Sequence, residues 1–252
     1  MPEGGAEVKL FKKVIHLILT VTVLGFSVYG AYALVTKPAE AKAAQQEGET
    51  MLKENQEKAD EMKKEQEQKL TEDTEEEVQG DSLFKDPKRL KIVGIGDSVM
   101  LASLDALYET FPSGYFDAVF GRTIYEGQEA LEKLEAEDKL GEVLLFSLGT
   151  NCQIYEEDVE KLIEHSGGRP TFWLSTYGVS NDSNEIVQRV IARHDDAYYI
   201  DWETPAMEHI SEWISSDALH PNAVGAQAYA EIIKKTITKG MFWYEFTHRT
   251  EE

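Results

Sequence analysis

Apolar and polar positions divide the chain into three stretches of different character. From Val14 to Val35 about 22 residues run without a formal charge, VIHLILTVTVLGFSVYGAYALV. From about Thr36 to Lys85 apolar residues are sparse (Met51, Leu52, Met62, Leu70, Val78), and their spacing sustains no a/d heptad. From about Pro87 to Gly240 short apolar runs alternate with amphipathic segments. Arg89–Gly96 reads as a buried first strand and Val99–Phe111 as a helix. Tyr115–Val119 is a second strand and Ile124–Lys139 a helix; Val143–Leu148 is a third strand bounded by Gly141 and Gly149. Tyr155–His165, Thr171–Ser175, Asn184–His194 and Ala197–Ile200 continue the alternation, and Pro221–Lys239 closes it with a helix, Pro221 in its first turn. Alternation of this kind implies βαβ units with right-handed crossovers, hence an α/β three-layer sandwich around a doubly wound, parallel five-stranded sheet. Continuous apolar strands agree, since parallel strands are covered on both faces.

The first stretch would span roughly 33 Å as a helix, the thickness of a bilayer core. Lys9, Lys12 and Lys13 precede it and acidic residues follow, which places residues 1–13 in the cytoplasm and exports the rest. One transmembrane signal anchor is therefore expected over 14–35, followed by a charged linker over 36–86. The rival reading is a cleaved signal peptide ending near Ala31-Tyr32-Ala33, although the apolar run exceeds the usual length of one. In the linker, Glu49→Lys53 and Glu54→Lys58 favour transient helix, while five of six residues from Glu72 to Glu77 are acidic and favour solvated chain. It reads as a tether, with a partner-binding or weakly coiled helix as the alternative.

Charge and cysteine content then narrow the function. With 25 Lys plus Arg against 47 Asp plus Glu the net charge is −22, which argues against a nucleic-acid surface. One cysteine, Cys152, excludes an intrachain disulfide framework, thiolate zinc clusters and CxxC redox chemistry. His165, His194 and His209 have no metal-ligand spacing and there is no phosphate loop, so neither metal nor cofactor is expected.

Open α/β sheets bind ligands beyond the carboxyl ends of their strands. There stand Gly96-Asp97-Ser98, Gly121-Arg122 and Gly149-Thr150-Asn151, with Asp217-x-x-His220 before the last helix. A dinucleotide turn beginning at Gly94-x-Gly96, with Asp117 as the ribose acid, fails. Its third glycine is Val99, and Asp97 would face the pyrophosphate. Acyl chemistry fits better: Ser98 as nucleophile, His220 as base, Asp217 as its orienter, and Gly121 N–H with the Asn151 amide as oxyanion donors. Each element also has an ordinary structural reading; what counts is four of them, in order, at strand ends.

This set resembles the SGNH/GDSL hydrolase family over about residues 90–238, and most of all the extracytoplasmic domains of bacterial cell-wall O-acetyltransferases. The resemblance implies a flavodoxin-like SGNH fold, catalytic Ser98, Asp217 and His220, and an oxyanion hole from Ser98 N–H, Gly121 N–H and Asn151. It also implies an O-acetyltransferase or O-acetylesterase acting on cell-envelope glycan or another acylated polymer, at the outer side of the cell membrane. A transferase would need a multi-spanning acyltransferase partner to bring the acyl donor across. Cys152 departs from the pattern, standing where relatives often have Gly. Asp97, Arg122 and Tyr177 are candidates for substrate contact: Arg122 for a carboxylate and Tyr177, like Trp173, Trp202 and Trp213, for sugar stacking, with core or ion-pair roles as the alternatives. The aromatic segment Met241–Phe246, within an expected tail over 241–252, has no assigned role. A non-catalytic envelope adaptor or glycan-binding module is the alternative to an enzyme.

Overall fold

The computed structural model describes residues 50, 52–64, 86–179 and 182–248, all within one compact unit, Gly48–Glu252. Among these residues no helix is long and apolar enough to cross a membrane; the anchor expected over 14–35 lies outside them.

The sheet has five parallel strands: β1 (Ile92–Gly96), β2 (Tyr115–Ala118), β3 (Val143–Ser147), β4 (Thr171–Leu174) and β5 (Ala197–Ile200). Their order is β2-β1-β3-β4-β5, the doubly wound flavodoxin-like arrangement, with the switch point between β1 and β3. Successive side chains feed opposite cores. Ile92, Val143 and Leu145 join Leu107, Phe116, Phe172, Trp202 and Tyr229 on one face; Val93, Ile95, Leu144 and Phe146 join Leu131, Leu162, Trp173 and Val190 on the other. That two-sided burial is why the strands show no polar alternation in the sequence.

The first described helix, α1, covers 52–64. On its face of the sheet lie α2 (Ser98–Ala102), α3 (Leu104–Thr110) and the closing α9 (Ala223–His248). The other face carries α4 (Ile124–Ala136), α5 (Glu156–Glu164) and α6 (Ser183–Ile191). Two short helices, α7 (Glu203–Glu208) and α8 (Ile210–Trp213), follow β5 and have no counterpart in the sequence reading.

Three differences from expectation have local causes. The helix expected over 99–111 breaks at Ser103, whose hydroxyl donates to Val99 O at 3.1 Å while its backbone leaves the helical region at φ −108°, ψ 6°. Residues before Ile92 form a 3-10 turn, Pro87–Arg89, capped by Asp86 instead of extending the strand. Pro221 lies outside the last helix, bridged to Ile214. Asn222 is the cap, its Oδ1 accepting from Val224 N at 2.9 Å and Gly225 N at 3.0 Å. That helix also continues past Lys239 to His248 and absorbs the aromatic segment, with Trp243 and Phe246 exposed.

Candidate active site

The nucleophile turn is set by the sheet. Asp97 follows the last residue of β1, and its N–H donates to Ser147 O at the end of β3, 3.0 Å away. The Asp97 side chain caps α2 by accepting from Val99 N at 3.0 Å, which leaves Ser98 at the first helical position. The N–H there has no partner within the helix, as needed of an oxyanion donor. Asp97 is fully buried, and desolvation pushes its carboxyl up to about 6 against the bonds from Val99 and Thr150 and the pull of His220.

The imidazole is set by its own turn. The Ile214–Pro221 bridge pinches the segment between them, and Ser215 N donates to His220 O at 2.8 Å. Inside this segment Asp217 Oδ1 accepts from Leu219 N at 3.0 Å and His220 N at 3.1 Å. Asp217 Oδ2 lies 2.8 Å from His220 Nδ1, and His220 Nε2 lies 2.8 Å from Ser98 Oγ. Burial alone would raise the Asp217 carboxyl, but these three bonds and the electrostatic pull of the His220 ring outweigh it and bring it down to about 2. An ionised carboxylate only accepts, so Nδ1 carries the proton and Nε2 is left to accept from the Ser98 hydroxyl.

The two other candidate donors lie in the segments that follow β2 and β3. Val119 to Arg122 form a turn closed by Arg122 N to Val119 O at 3.3 Å, with Gly121 at its third position in the left-handed region, φ +72°. Among the described residues no acceptor takes the Gly121 N–H. Asn151 Nδ2 donates to Arg122 O at 3.1 Å and lies 3.5 Å from Asp97 Oδ2. The amide is thereby tied to both the Gly121 turn and the nucleophile turn.

The candidates for substrate contact, Asp97, Arg122 and Tyr177, are all buried. Arg122 is only 7 % exposed: its guanidinium holds Asp117 Oδ1 at 3.0 Å, Gly96 O at 3.4 Å and Asp117 O, so it is engaged within the protein and little of it reaches solvent. Asp117, reached also by Lys63 at 3.0 Å, is kept below the usual carboxylate range because these two cations outweigh its burial. Asp97 is the α2 cap, not a surface group. Tyr177, Trp173 and Trp202 are buried in the two cores and present no ring for stacking; Trp213 is partly buried against Trp202. Cys152 is half-buried beside the α4–α6 core. Sequence reasoning missed Thr150 as an Asp97 partner and all of the contacts from α1. Neither has a pattern in the sequence by which to find it.

The chain is 24 % identical over 146 residues to the putative peptidoglycan O-acetyltransferase YrhL of Bacillus subtilis, covering 57 % of this chain and 23 % of that protein. It is also 24 % identical over 150 residues to the peptidoglycan O-acetyltransferase OatA of Listeria monocytogenes, covering 58 % and 24 %. The chain thus matches about a quarter of the length of these curated relatives. No protein-family model matches it. Its fold is shared with the C-terminal catalytic domain of Streptococcus pneumoniae peptidoglycan O-acetyltransferase A, solved with a methylsulfonyl adduct. The TM-score is 0.52 at 21 % identity, over 60 % of this chain and 93 % of that one. Motif order, sheet order and sequence relatives therefore converge: the chain resembles the SGNH hydrolases and is similar to a part of two bacterial peptidoglycan O-acetyltransferases, one of them putative.

Proposed function

We propose that this protein is a serine acyl-transfer enzyme of the cell envelope, an O-acetyltransferase or O-acetylesterase acting on cell-wall glycan through a covalent acyl-enzyme. The observation that carries the reading is the continuous chain from Ser98 Oγ through His220 to Asp217, 2.8 Å at each step. Ser98 Oγ attacks the acyl carbonyl carbon as its proton passes to His220 Nε2, and the carbonyl π pair moves onto oxygen. The resulting oxyanion is met by Ser98 N–H, Gly121 N–H and the Asn151 amide. Collapse breaks the bond to the leaving oxygen, which takes the proton from Nε2, and leaves the acyl ester on Ser98. A glycan hydroxyl or water then gives its proton to Nε2 and attacks that ester; Ser98 Oγ departs and recovers the proton. Asp217 stays ionised throughout and stabilises the imidazolium.

In this reading residues 14–35 anchor the protein with its N-terminus in the cytoplasm, the 36–86 linker carries the domain outward, and a multi-spanning acyltransferase delivers the acyl group. The names of the curated relatives support cell-wall peptidoglycan as the acceptor.

The test is mass spectrometry after brief exposure of the purified protein to an activated acetyl ester. A single acetyl adduct on the parent, absent from Ser98→Ala, is expected, with at least about a 10³-fold loss of turnover in that variant. An adduct that persists in Ser98→Ala would sink the proposal and leave the adaptor reading. Product that forms only when a sugar acceptor is added assigns transfer; turnover indifferent to any acceptor assigns hydrolysis.

A further inference from the structure

The linker contains a helix that docks on the catalytic unit. On α1 the positions Leu52, Gln56, Ala59 and Lys63 recur at spacings of four, three and four, so they lie along one stripe. Leu52 and Ala59 are 2 % and 4 % exposed and belong to the core beneath α2 and α3. The two polar members of the stripe both reach residues of β2 and the turn that carries Gly121. Gln56 Oε1 accepts from Phe120 N at 3.0 Å, and its Nε2 donates to Ala118 O at 3.4 Å and to Asp60 Oδ1 at 3.2 Å. Lys63 Nζ shares Asp117 Oδ1 with Arg122, each at 3.0 Å. Arg122 O in turn accepts from Asn151. Gly121 therefore lies between one residue bound by α1 and another bound by the Asp117 network and Asn151.

The turn gives itself little support, since its closing bond is 3.3 Å and Phe120 is more than half exposed. A peptide plane that rotates takes its N–H away from the developing charge, and a transition state tolerates little misplacement. We propose that α1 is a clamp on the Gly121 turn, with Gln56 and Lys63 as positioning residues. The segment joining domain and anchor then sets the oxyanion donor and controls turnover from a distance. The inference rests on the acyl-transfer reading above for its catalytic consequence, but its structural claim stands separately.

The experiment compares the full chain with Gln56→Ala and Lys58→Ala. Lys58 sits on the same helix but pairs with exposed Asp105 on α3, 3.8 Å away. Three quantities are measured: kcat and KM for an activated acetyl ester, the unfolding midpoint, and hydrogen exchange of the amides from 118 to 122. Gln56→Ala is expected to lower kcat about 10-fold with KM within about twofold. Exchange at Phe120 should speed up while the unfolding midpoint stays put, and Lys58→Ala should match the parent. In the double variant Gln56→Ala/Asn151→Ala the combined loss is expected to fall short of the product of the single losses, because both act on one oxyanion site. Unchanged kcat in Gln56→Ala, a kcat loss that only follows a fall in stability, or an equal loss in Lys58→Ala would each overturn the clamp. Should the parent take no acetyl group at Ser98, the acyl-transfer reading fails alone, and Phe120 exchange decides the clamp: faster in Gln56→Ala supports it, unchanged overturns it.

Discussion

Ser98 and His220 meet across 122 positions of chain, and the two turns that hold them use opposite means. The Gly96–Ser98 turn is held by tertiary burial. Its carboxylate, Asp97, is walled off from solvent and pushed up to about 6 despite donors at Val99 and Thr150. The Ser215–His220 turn is held by bonds within itself. Its carboxylate, Asp217, keeps some exposure, gathers Leu219 N, His220 N and His220 Nδ1, and falls to about 2. Two aspartates near one imidazole thus differ in state, and since each gathers about as many donors, the depth of burial decides between them. Asp217 suits the role of the lasting anion that the proposed mechanism requires, and Asp97 suits that of a strut.

The substitution that breaks this contrast most strongly is Asp217→Asn. An asparagine Oδ1 still accepts from Leu219 N and His220 N, so the turn survives. Its Nδ2 then faces His220 Nδ1 and donates, which forces the ring proton to Nε2 and removes the acceptor for Ser98. A loss of about 10³ to 10⁴ in kcat is expected with little change in folding, as measured by acetyl-ester turnover beside thermal unfolding. Wild-type kcat retained in this variant would mean that the orienting bond has no catalytic part.

The mirror experiment attacks the packed turn. A Cβ on Gly96 would stand 2.5 Å from Met100 Cβ and 2.6 Å from its Sδ, and a Cβ has no freedom to swing aside. Gly96→Ala therefore separates β1 from α2, and stability is expected to fall by about 3 kcal/mol, seen as a midpoint lowered by several degrees. Activity should fall with it, because the shift moves Ser98. An Asp217→Asn profile here, activity lost with stability kept, would show that the nucleophile turn is not held by packing.

How far the sequence could be read follows the same division. The five strands are legible because burial on both faces makes them continuous apolar runs, and Ala197–Ile200 is found at its observed limits. Ser98, Asp217 and His220 are legible because strand ends and a short Asp-x-x-His spacing are local features. For Arg122 the sequence leaves substrate ligand and ion pair open, and the pairing with Asp117 becomes visible only when β2 brings that carboxylate beside it. The docking of α1 is hidden because its stripe mixes Leu52 and Ala59 with Gln56 and Lys63, whose partners are some sixty residues away. The closing helix is read as ending at Lys239, yet Gly240 continues α9, where a side chain would meet the Phe172 ring at 2.6 Å.

The smallest expected effect is the one that sharpens the contrast, since it concerns only protonation. A carboxyl raised in the folded state contributes stability below its ordinary value of 3.8, and that contribution is lost as pH rises through about 6. The gap corresponds to about 3 kcal/mol at neutral pH. Asp217 runs the other way, contributing stability above 3.8 that is lost as pH falls through about 2. Asp97→Asn keeps an acceptor for Val99 N and has no proton to lose. Its Nδ2, however, would replace the oxygen that lies 3.5 Å from Asn151 Nδ2 and upset the bonding to Thr150, which costs about 1 to 2 kcal/mol. The variant is then less stable than the parent at pH 4, and gains on it by pH 8 to end about 1 to 2 kcal/mol ahead. Denaturant unfolding across that range reads the change directly. Parallel pH curves would show that Asp97 has no raised titration to lose, and the division of labour between the two aspartates would then rest on geometry alone.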